Sequence, residues 1–354
     1  MPSTALARKR SSGSEQKIKP LSKSTLTSKH EAAIKKLGKA KLIDMYRQMV
    51  LIRDFERRTE QMYQQRKIGG FLHLYMGQEA LGVGMLAALK GDDYVTTSYR
   101  DHGIGLARGI SPNALMAELF GKITGVSKGK GGSMHFFSKE KNLFGGHGIV
   151  GGQVPVGMGA AFRAKYLKTD QVSLIFLGDG AVNQGTFHES LNMASLWNLP
   201  AIFIIENNQY GMGTSVDRSS SVKDMTLKAQ GYNMEGAHVD GMNLLDCYIL
   251  MDEAVRARRK HQAPLLIEAK TYRYRGHSIS DPGTYRKKEE VAEYRKVDPI
   301  EQVRRLLEEL DWLSETADKR LVKEVRHEVE ESVVFADSSP FPVEDHATMD
   351  VYAD

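Results

Sequence analysis

The sequence predicts an α/β fold, with a doubly wound, mainly parallel sheet, helices on both faces, and helical N- and C-terminal extensions. Short runs rich in Ile, Leu, Val and Phe, at 172–177 and 201–205, are typical of strands buried on both faces. A helix-length segment separates these two runs, which indicates a right-handed β-α-β crossover. The length of 354 residues and the 41% hydrophobic content are enough for one sizeable core.

The first half of the chain contains the expected alternation of helical and extended segments. Apolar residues recur at helical spacing from Leu42 to Met62 and predict a long amphipathic helix. The segment 121–153 is crowded with Gly and Lys, and such long glycine-rich loops within a domain tend to be functional. The predicted elements of this half are helices at 42–62, 82–89 and 157–166, and strands at 94–97 and 172–177.

The second half continues the same alternation and then becomes helical. Leu199 and Pro200 end the helix that separates the two apolar runs. Residues 275–288 are polar, contain Asp281-Pro282-Gly283, and predict a mobile loop. The remaining predicted elements are strands at 201–205, 237–239 and 265–269, and helices at 244–261, 300–310 and 316–333.

The chain is predicted to divide into a flexible basic arm at 1–38, a domain at 39–335 and a C-terminal tail at 336–354. The net charge is +5, and the first 41 residues contain only two acids, Glu15 and Glu31. No aromatic residue lies among these basic residues, which weakens a nucleic-acid function. The arm resembles an organellar transit peptide in composition. Its first twenty residues lack a sustained amphipathic face, which favours a disordered arm over a cleaved leader.

Composition also excludes several classes of protein. The single cysteine, Cys247, excludes an internal disulfide framework and a cysteine zinc cluster, and it suits a reducing compartment. No apolar run approaches the roughly 18 residues that a membrane span needs. A cytoplasmic location of bacterial type is therefore expected, with an organelle matrix as the alternative if the arm is a transit peptide.

Two oxygen-bearing residues follow the two apolar runs. Asp179 lies between Gly178 and Gly180 after the first run, and Asn208 follows the second run. Ligands of parallel sheets lie beyond the carboxyl ends of the strands, so these two side chains should converge. Mg²⁺ prefers oxygen ligands and usually keeps phosphate oxygens in its shell. The pair, with a nearby carbonyl such as that of Tyr210, therefore predicts a site for Mg²⁺ and a phosphate group.

This pattern resembles a known motif. Gly-Asp-Gly, followed after a helix-length interval by Asn-Asn, is similar to the thiamin diphosphate motif of the transketolase-like superfamily. Flanking motifs resemble those of the E1 α subunits of the pyruvate dehydrogenase family, and the resemblance covers roughly residues 40 to 335. These motifs are Gly70–Tyr75, Ser98–Gly103, Lys128–His135, Gly148–Gly151, Gly211–Ser215 and Thr271–Ser278.

The resemblance implies roles for individual residues. Mg²⁺ would be bound by Asp179, Asn208 and Tyr210, and His73 and His277 would be active-site histidines. Residues in contact with thiamin diphosphate would include Tyr99 and Arg100 at the diphosphate, Gly148 and Val150 beside the aminopyrimidine ring, and Asp179, Gly180, Ala181, Asn208, Tyr210 and His277.

The activity that the resemblance implies is oxidative decarboxylation of pyruvate, with transfer of the acetyl group to the lipoyl group of an E2 acyltransferase. In this family the glutamate that activates the cofactor comes from a β subunit of an α₂β₂ heterotetramer. The chain is too short for a fused β half, so it is expected to be inactive alone. Alternatives are an E1 α subunit for branched-chain 2-oxo acids or acetoin, and a non-catalytic regulatory or assembly subunit.

Several other motifs are interpreted as decoys. Residues 146–151 match GxGxxG but follow no apolar strand in this prediction, so a nicotinamide site is rejected. Residues 125–132 lack the Gly-Lys-Ser/Thr of a P-loop, and His188-Glu189 lacks the second histidine of a zinc motif.

Ser278 and Thr284 flank the acidic part of the 275–288 loop and are candidate sites of phosphorylation. A phosphate there would add about −1.5 to −2 charges beside an anion site.

Overall fold

The computed structural model describes residues 21–352 and contains a six-stranded, entirely parallel sheet in the order β2-β1-β3-β4-β8-β7. The predicted doubly wound α/β fold is confirmed. A two-stranded antiparallel hairpin, β5 with β6, follows β4. The strands are β1 (Tyr94–Ser98), β2 (Leu143–His147), β3 (Ser173–Gly178), β4 (Ala201–Asn207), β5 (Tyr210–Gly211), β6 (Thr214–Ser215), β7 (Glu235–Asp240) and β8 (Leu265–Lys270).

Helices cover both faces of the sheet. They are α1 (Ser28–Gln64), α2 (Glu79–Leu86), α3 (His102–Ala107), α4 (Pro112–Leu119), α5 (Gln153–Tyr166), α6 (Gly185–Leu196), α7 (Val216–Ser219), α8 (Leu227–Gln230), α9 (Leu244–His261), α10 (Lys288–Lys296), α11 (Pro299–Glu309) and α12 (Glu315–Ser338), with 3₁₀ turns at Lys23–Thr25, Asp179–Asn183 and Glu344–Ala347. None of the helices within residues 21–352 combines the length and hydrophobicity that a bilayer crossing requires.

Alternate residues of the central strands enter two separate cores. In β3, Leu174 and Phe176 join the core formed with α1, α2 and α9. Ile175 and Leu177 join the other core, with α5 and α6. The period of two in a strand produces this division, and it explains why the apolar run is continuous in sequence.

The strand order reverses between β1 and β3. After β1 the chain passes to β2 on one side, and β3 then pairs with β1 on its other side. Such a reversal opens a crevice at the carboxyl ends of the two strands, because their connections diverge onto opposite faces. The loops after β1 and β3 both begin at this crevice.

The N-terminal boundary differs from the prediction. Residues 1–20 of the predicted arm lie outside the described residues, but helix α1 begins at Ser28 rather than after residue 38. Thr27 caps it by accepting a hydrogen bond from the backbone N–H of His30 at 3.3 Å, and Ile34 is buried. Gly38, with φ of 71° and ψ of 169°, is non-helical and divides α1 into two helical segments. The predicted boundary at 38–39 coincides with this break, and the segment before it is helical from Ser28.

The sequence prediction missed the strand β2, the β5–β6 hairpin and the helices α3, α4, α7, α8 and α10. The strand β2 lies inside the segment interpreted as loop, because its sequence Leu-Phe-Gly-Gly-His is weakened by two glycines. The argument that no strand precedes the GxGxxG motif was therefore wrong. Helix α10 has no buried residue and showed no apolar face in the sequence. Helix α12 runs to Ser338, past the predicted domain end at 335.

Candidate active site

Three strands end at one edge of the sheet, and each end leads to a residue predicted to bind the cofactor. Arg100 follows β1, Asp179 follows β3 and Asn208 follows β4. The register pairs Gly178 with Glu206 in the β3–β4 ladder, so Asp179 and Asn208 leave adjacent strands side by side. All three predicted residues are buried. The structure therefore brings them together at the crevice between β1 and β3.

Asp179 has a carboxylate oxygen without a protein partner. Its side chain is only 3% exposed, and Oδ2 has no hydrogen-bond donor among the described residues. Burial raises the pKa of this carboxyl group to about 6, against the opposing effects of Arg273, Arg100 and the Asn208 backbone. Unpaired buried carboxylate oxygens are uncommon, and a divalent cation would satisfy this one.

The two consecutive asparagines have different partners. Asn207 donates from Nδ2 to Glu268 Oε1 at 2.7 Å, and its Oδ1 accepts from the backbone two residues later. Asn208 donates from Nδ2 to Gln78 Oε1 at 2.9 Å. Its Oδ1 has only a 3.4 Å contact with Arg273 Nη1. The amide oxygen of Asn208 is therefore the one that remains available to a cation.

The backbone carbonyl of Tyr210 already has a donor. Arg273 Nη1 donates to this oxygen at 2.7 Å, while Nη2 donates to the carbonyl of Met212 at 2.6 Å and to the Tyr285 hydroxyl at 2.7 Å. A carbonyl oxygen has two lone pairs, so one remains for a cation. Sequence reasoning missed Arg273, because nothing in the repeated Tyr-Arg pattern distinguishes it from Arg275.

Arg100 is a buried cation whose hydrogen bonds go to carbonyl groups. Nη1 donates to the Leu74 carbonyl at 2.6 Å and Nη2 to the His277 carbonyl at 2.9 Å. Burial, followed by the charge of Arg273, lowers the pKa of Arg100 to about 10. A buried guanidinium held by neutral acceptors retains a charge that an anion such as a phosphate can compensate.

Three rings form a cluster beside Arg100. The ring centroid of His73 lies 4.6 Å from that of Tyr99 and 5.0 Å from that of His277. Burial, and then the charge of Arg100, lowers the pKa of His73 to about 2 and that of His277 to about 4. Neither Nδ1 has a partner among the described residues. Both imidazoles are therefore neutral at pH 7 and have a nitrogen available for a ligand.

Backbone segments pass each other closely at the Asp179 turn. A Cβ atom on Gly211 would lie 3.3 Å from the Cα of Gly180, which is tighter than most such contacts. Ala181, the next residue, is buried. The glycine at position 211 therefore lets the hairpin after β4 approach the turn after β3.

The loop after β2 lies against the segment that follows this turn. Thr186 donates a hydrogen bond from Oγ1 to the carbonyl of Gly151 at 3.3 Å. Ile149 and Val150 are 79% and 42% exposed, and Gly148 precedes them. The loop thus presents an apolar surface that residues 21–352 leave uncovered.

The glycine-rich loop after α4 folds around an internal carboxylate. Glu118 Oε2 accepts from the backbone N–H groups of Ser127 at 2.7 Å and Gly129 at 2.9 Å. Its Oε1 accepts from Gly131 at 2.6 Å and Gly132 at 3.2 Å. A phosphate-binding loop would direct such groups at its ligand, so this geometry agrees with the rejection of a P-loop.

A buried hydrogen-bond chain ties that loop to the segment after β1. His102 Nδ1 lies 2.8 Å from Glu56 Oε2, and its Nε2 lies 3.0 Å from Ser133 Oγ. Asp101 Oδ2 accepts from the backbone N–H of Phe136 at 2.9 Å. His102 is thus a core histidine. These hydrogen bonds help hold the segment that contains the predicted diphosphate contacts.

Comparison with known proteins covers most of the chain. The family model described as dehydrogenase E1 component matches residues 47–344. The chain is similar to pyruvate dehydrogenase E1 component subunit alpha of Rhizobium meliloti, with 53% identity over 84% of this chain and 86% of the relative. The protein of the same name from Rickettsia bellii is 45% identical over 90% of this chain and 99% of the relative.

A plant relative shows similar coverage. The pyruvate dehydrogenase E1 component subunit alpha-3, chloroplastic, of Arabidopsis thaliana is 43% identical over 88% of this chain and 74% of that relative. The family is thiamin diphosphate-dependent in general, and an E1 α subunit implies a complex with E1 β and E2 components in general terms. The matched residues include β1, β3 and the crevice between them. The chain therefore belongs to the dehydrogenase E1 component family.

Proposed function

We propose that this chain is the α subunit of an acetyl-transferring pyruvate dehydrogenase E1 component, which binds Mg²⁺ and thiamin diphosphate at the crevice between β1 and β3. The observation that carries the proposal is the unpartnered Oδ2 of buried Asp179 beside the available Oδ1 of Asn208. The relatives named pyruvate dehydrogenase E1 α support the choice of substrate.

The residues fit a cation with a diphosphate. Asp179, Asn208 and the Tyr210 carbonyl would hold Mg²⁺, which prefers oxygen ligands. Arg100 and Tyr99 would contact the diphosphate, since a guanidinium fork suits phosphate oxygens. The orphaned carboxylate oxygen and the uncompensated buried guanidinium both support this assignment.

Other residues would position the organic part of the cofactor. Gly148 and Val150 would flank the aminopyrimidine ring, and Gly180 and Ala181 would pass close to the diphosphate. When bound, the cofactor supplies the electron sink for decarboxylation of a 2-oxo acid. His73 and His277 would accept or deliver protons at their unpartnered nitrogens, and their low pKa values support a role that begins with neutral imidazole.

The proposal includes partner chains. A β subunit would complete the site in an α₂β₂ heterotetramer and cover the exposed Ile149 and Val150. A lipoyl acyltransferase E2 would receive the acetyl group. The single buried cysteine, Cys247, supports a reducing compartment, and the bacterial relatives support a cytoplasmic location.

Reconstitution tests the proposal. The chain, a β subunit, thiamin diphosphate and Mg²⁺ are mixed. CO₂ release is measured from pyruvate and branched-chain 2-oxo acids, and acetaldehyde release is measured from acetoin, which has no carboxyl group to lose. Activity that needs both chains and prefers pyruvate is expected. Asp179→Asn should abolish activity and Mn²⁺ binding, whereas Asp240→Asn, at the end of outer strand β7, should preserve both. Full activity of Asp179→Asn would contradict the cation assignment.

A further inference from the structure

Gln78 is a buried amide in contact with a proposed cation ligand. It lies immediately before α2 and is fully buried. Its Oε1 accepts the hydrogen bond from Asn208 Nδ2 at 2.9 Å, although the two residues are 130 positions apart in sequence. The contact therefore joins the N-terminal end of α2 to the carboxyl end of β4.

This hydrogen bond selects one orientation of the Asn208 amide. With Nδ2 directed at Gln78, Oδ1 lies 3.4 Å from Arg273 Nη1. If the amide were flipped, the Asn208 oxygen would face the Gln78 oxygen, and the Asn208 nitrogen would face the Arg273 nitrogen. Neither pair could form a hydrogen bond, because two acceptors or two donors would meet. The two neighbours therefore agree on a single orientation, in which Oδ1 lies on the side of Arg273, whose charge also acts on Asp179.

The buried position of Gln78 costs folding stability. Its own Nε2 is buried and has no hydrogen-bond partner among the described residues. An unsatisfied buried donor destabilises a fold. An apolar side chain of similar length would avoid this cost, so the benefit of glutamine lies in its oxygen.

We propose that Gln78 is a positioning residue that holds the Asn208 amide oxygen toward a cation at Asp179. This inference rests on the proposed function. Loss of the Gln78 acceptor would let the Asn208 amide rotate and withdraw one ligand. Mg²⁺ demands near-ideal octahedral geometry, whereas Ca²⁺ accepts flexible coordination. Affinity for Mg²⁺ should therefore fall more than affinity for Ca²⁺.

The test measures cation affinity in the complete α₂β₂ assembly with thiamin diphosphate, by Mn²⁺ electron paramagnetic resonance with Mg²⁺ and Ca²⁺ as competitors. Gln78→Met removes the acceptor and Gln78→Glu retains an oxygen at its position. We expect Gln78→Met to weaken Mn²⁺ and Mg²⁺ binding about tenfold or more, as is typical for partners of metal ligands. Gln78→Glu should recover most of that affinity.

Gln302→Met is the matched control. Gln302 is also a buried glutamine, and its Nε2 donates to the carbonyl groups of Val297 and Met242 outside the crevice. The Gln302→Met substitution should lower the melting temperature but leave cation affinity unchanged. If Gln78→Met fails to fold, Gln78→Asn, which withdraws the amide by one methylene, should show the same affinity loss.

Three results would overturn the inference. They are wild-type Mn²⁺ affinity in a folded Gln78→Met or Gln78→Asn assembly, an equal loss of affinity for Ca²⁺ and Mg²⁺, and no recovery in Gln78→Glu. If the wild-type assembly itself binds no Mn²⁺, the proposed function fails as well, and this outcome is distinct from a failure of the Gln78 variants alone.

Discussion

Arg273 donates a hydrogen bond from Nη1 to the backbone carbonyl of Tyr210 at 2.7 Å, where the sequence predicts a cation ligand. The same guanidinium also reaches the Met212 carbonyl and the Tyr285 hydroxyl. One buried cation therefore connects the turn after β4 to the loop before α10. A point charge could not make all of these contacts, because they use both ends of a planar fork.

Arg273→Lys should therefore loosen the turn after β4 although it keeps the charge. We expect a loss of about 1–3 kcal/mol in the free energy of unfolding, since buried acceptors lose their donor. Urea denaturation measures this loss. The control is Arg275→Lys, two residues away, where a half-exposed ion pair with Glu60 is worth about 1 kcal/mol or less. Equal effects of the two substitutions would contradict the assigned role of Arg273.

The neutral histidines predict a loss of stability in acid. Folding lowers the pKa of His73 to about 2 and of His277 to about 4, from an ordinary value of 6.5. As pH falls below 6.5, the unfolded chain therefore binds protons that the native chain refuses, and the free energy of unfolding declines. The slope per histidine is at most about 1.4 kcal/mol per pH unit.

His277→Gln should reduce this decline by about 1–2 kcal/mol between pH 7 and pH 5. Chemical denaturation at a series of pH values measures it. His327→Gln, at a largely exposed position in α12, is the control substitution. A profile for His277→Gln that parallels the wild type would show that this imidazole is not excluded from protonation.

Glu118→Gln should destabilise the glycine-rich loop. A glutamine offers one acceptor atom and one amide, so it cannot accept all four backbone N–H groups that the carboxylate accepts. We expect a loss of about 2–3 kcal/mol and faster hydrogen exchange at residues 125–135. Glu140→Gln, on the surface, is the control. Unchanged exchange in the loop would contradict this account.

The two hydroxyl residues of the 275–288 loop should respond differently to a negative charge. Ser278 is buried, with its Oγ 3.0 Å from Ser280 Oγ, whereas Thr284 is exposed. A buried unpaired charge is strongly destabilising. Ser278→Glu should therefore weaken thiamin diphosphate binding at least about tenfold, which corresponds to about 1.4 kcal/mol. Thr284→Glu should have little effect on binding. Calorimetry with the assembled enzyme measures the affinity of each variant for thiamin diphosphate. Wild-type affinity in Ser278→Glu would contradict the hypothesis that a phosphate at Ser278 controls binding.

The sequence was sufficient for the central part of the fold. Continuous apolar runs predicted β3 and β4 because both faces of these strands are covered. It was insufficient for β2, where glycines obscure the strand, and for α10, whose apolar residues Val291 and Tyr294 are only partly buried. Local patterns report burial, so elements that bury little leave little signal.

Within the candidate site, strand ends were easier to predict than supporting contacts. The positions of Asp179 and Asn208 follow from the parallel sheet, because both come directly after strands. Gln78 and Arg273 reach the same place from distant segments. Their side chains meet Asn208 only through tertiary packing, and no spacing in a single sequence encodes that encounter.

The carboxylate at the centre of the glycine-rich loop has a consequence for how the enzyme would assemble. Because Glu118 satisfies the loop from within, the conformation of residues 127–132 is set by folding and needs no ligand to order it. The loss of conformational entropy on ordering residues 127–132 therefore accompanies folding and precedes the binding of a cofactor or partner. A cofactor or second subunit would therefore meet a preorganised loop, and its binding would not have to supply the free energy of ordering residues 127–132.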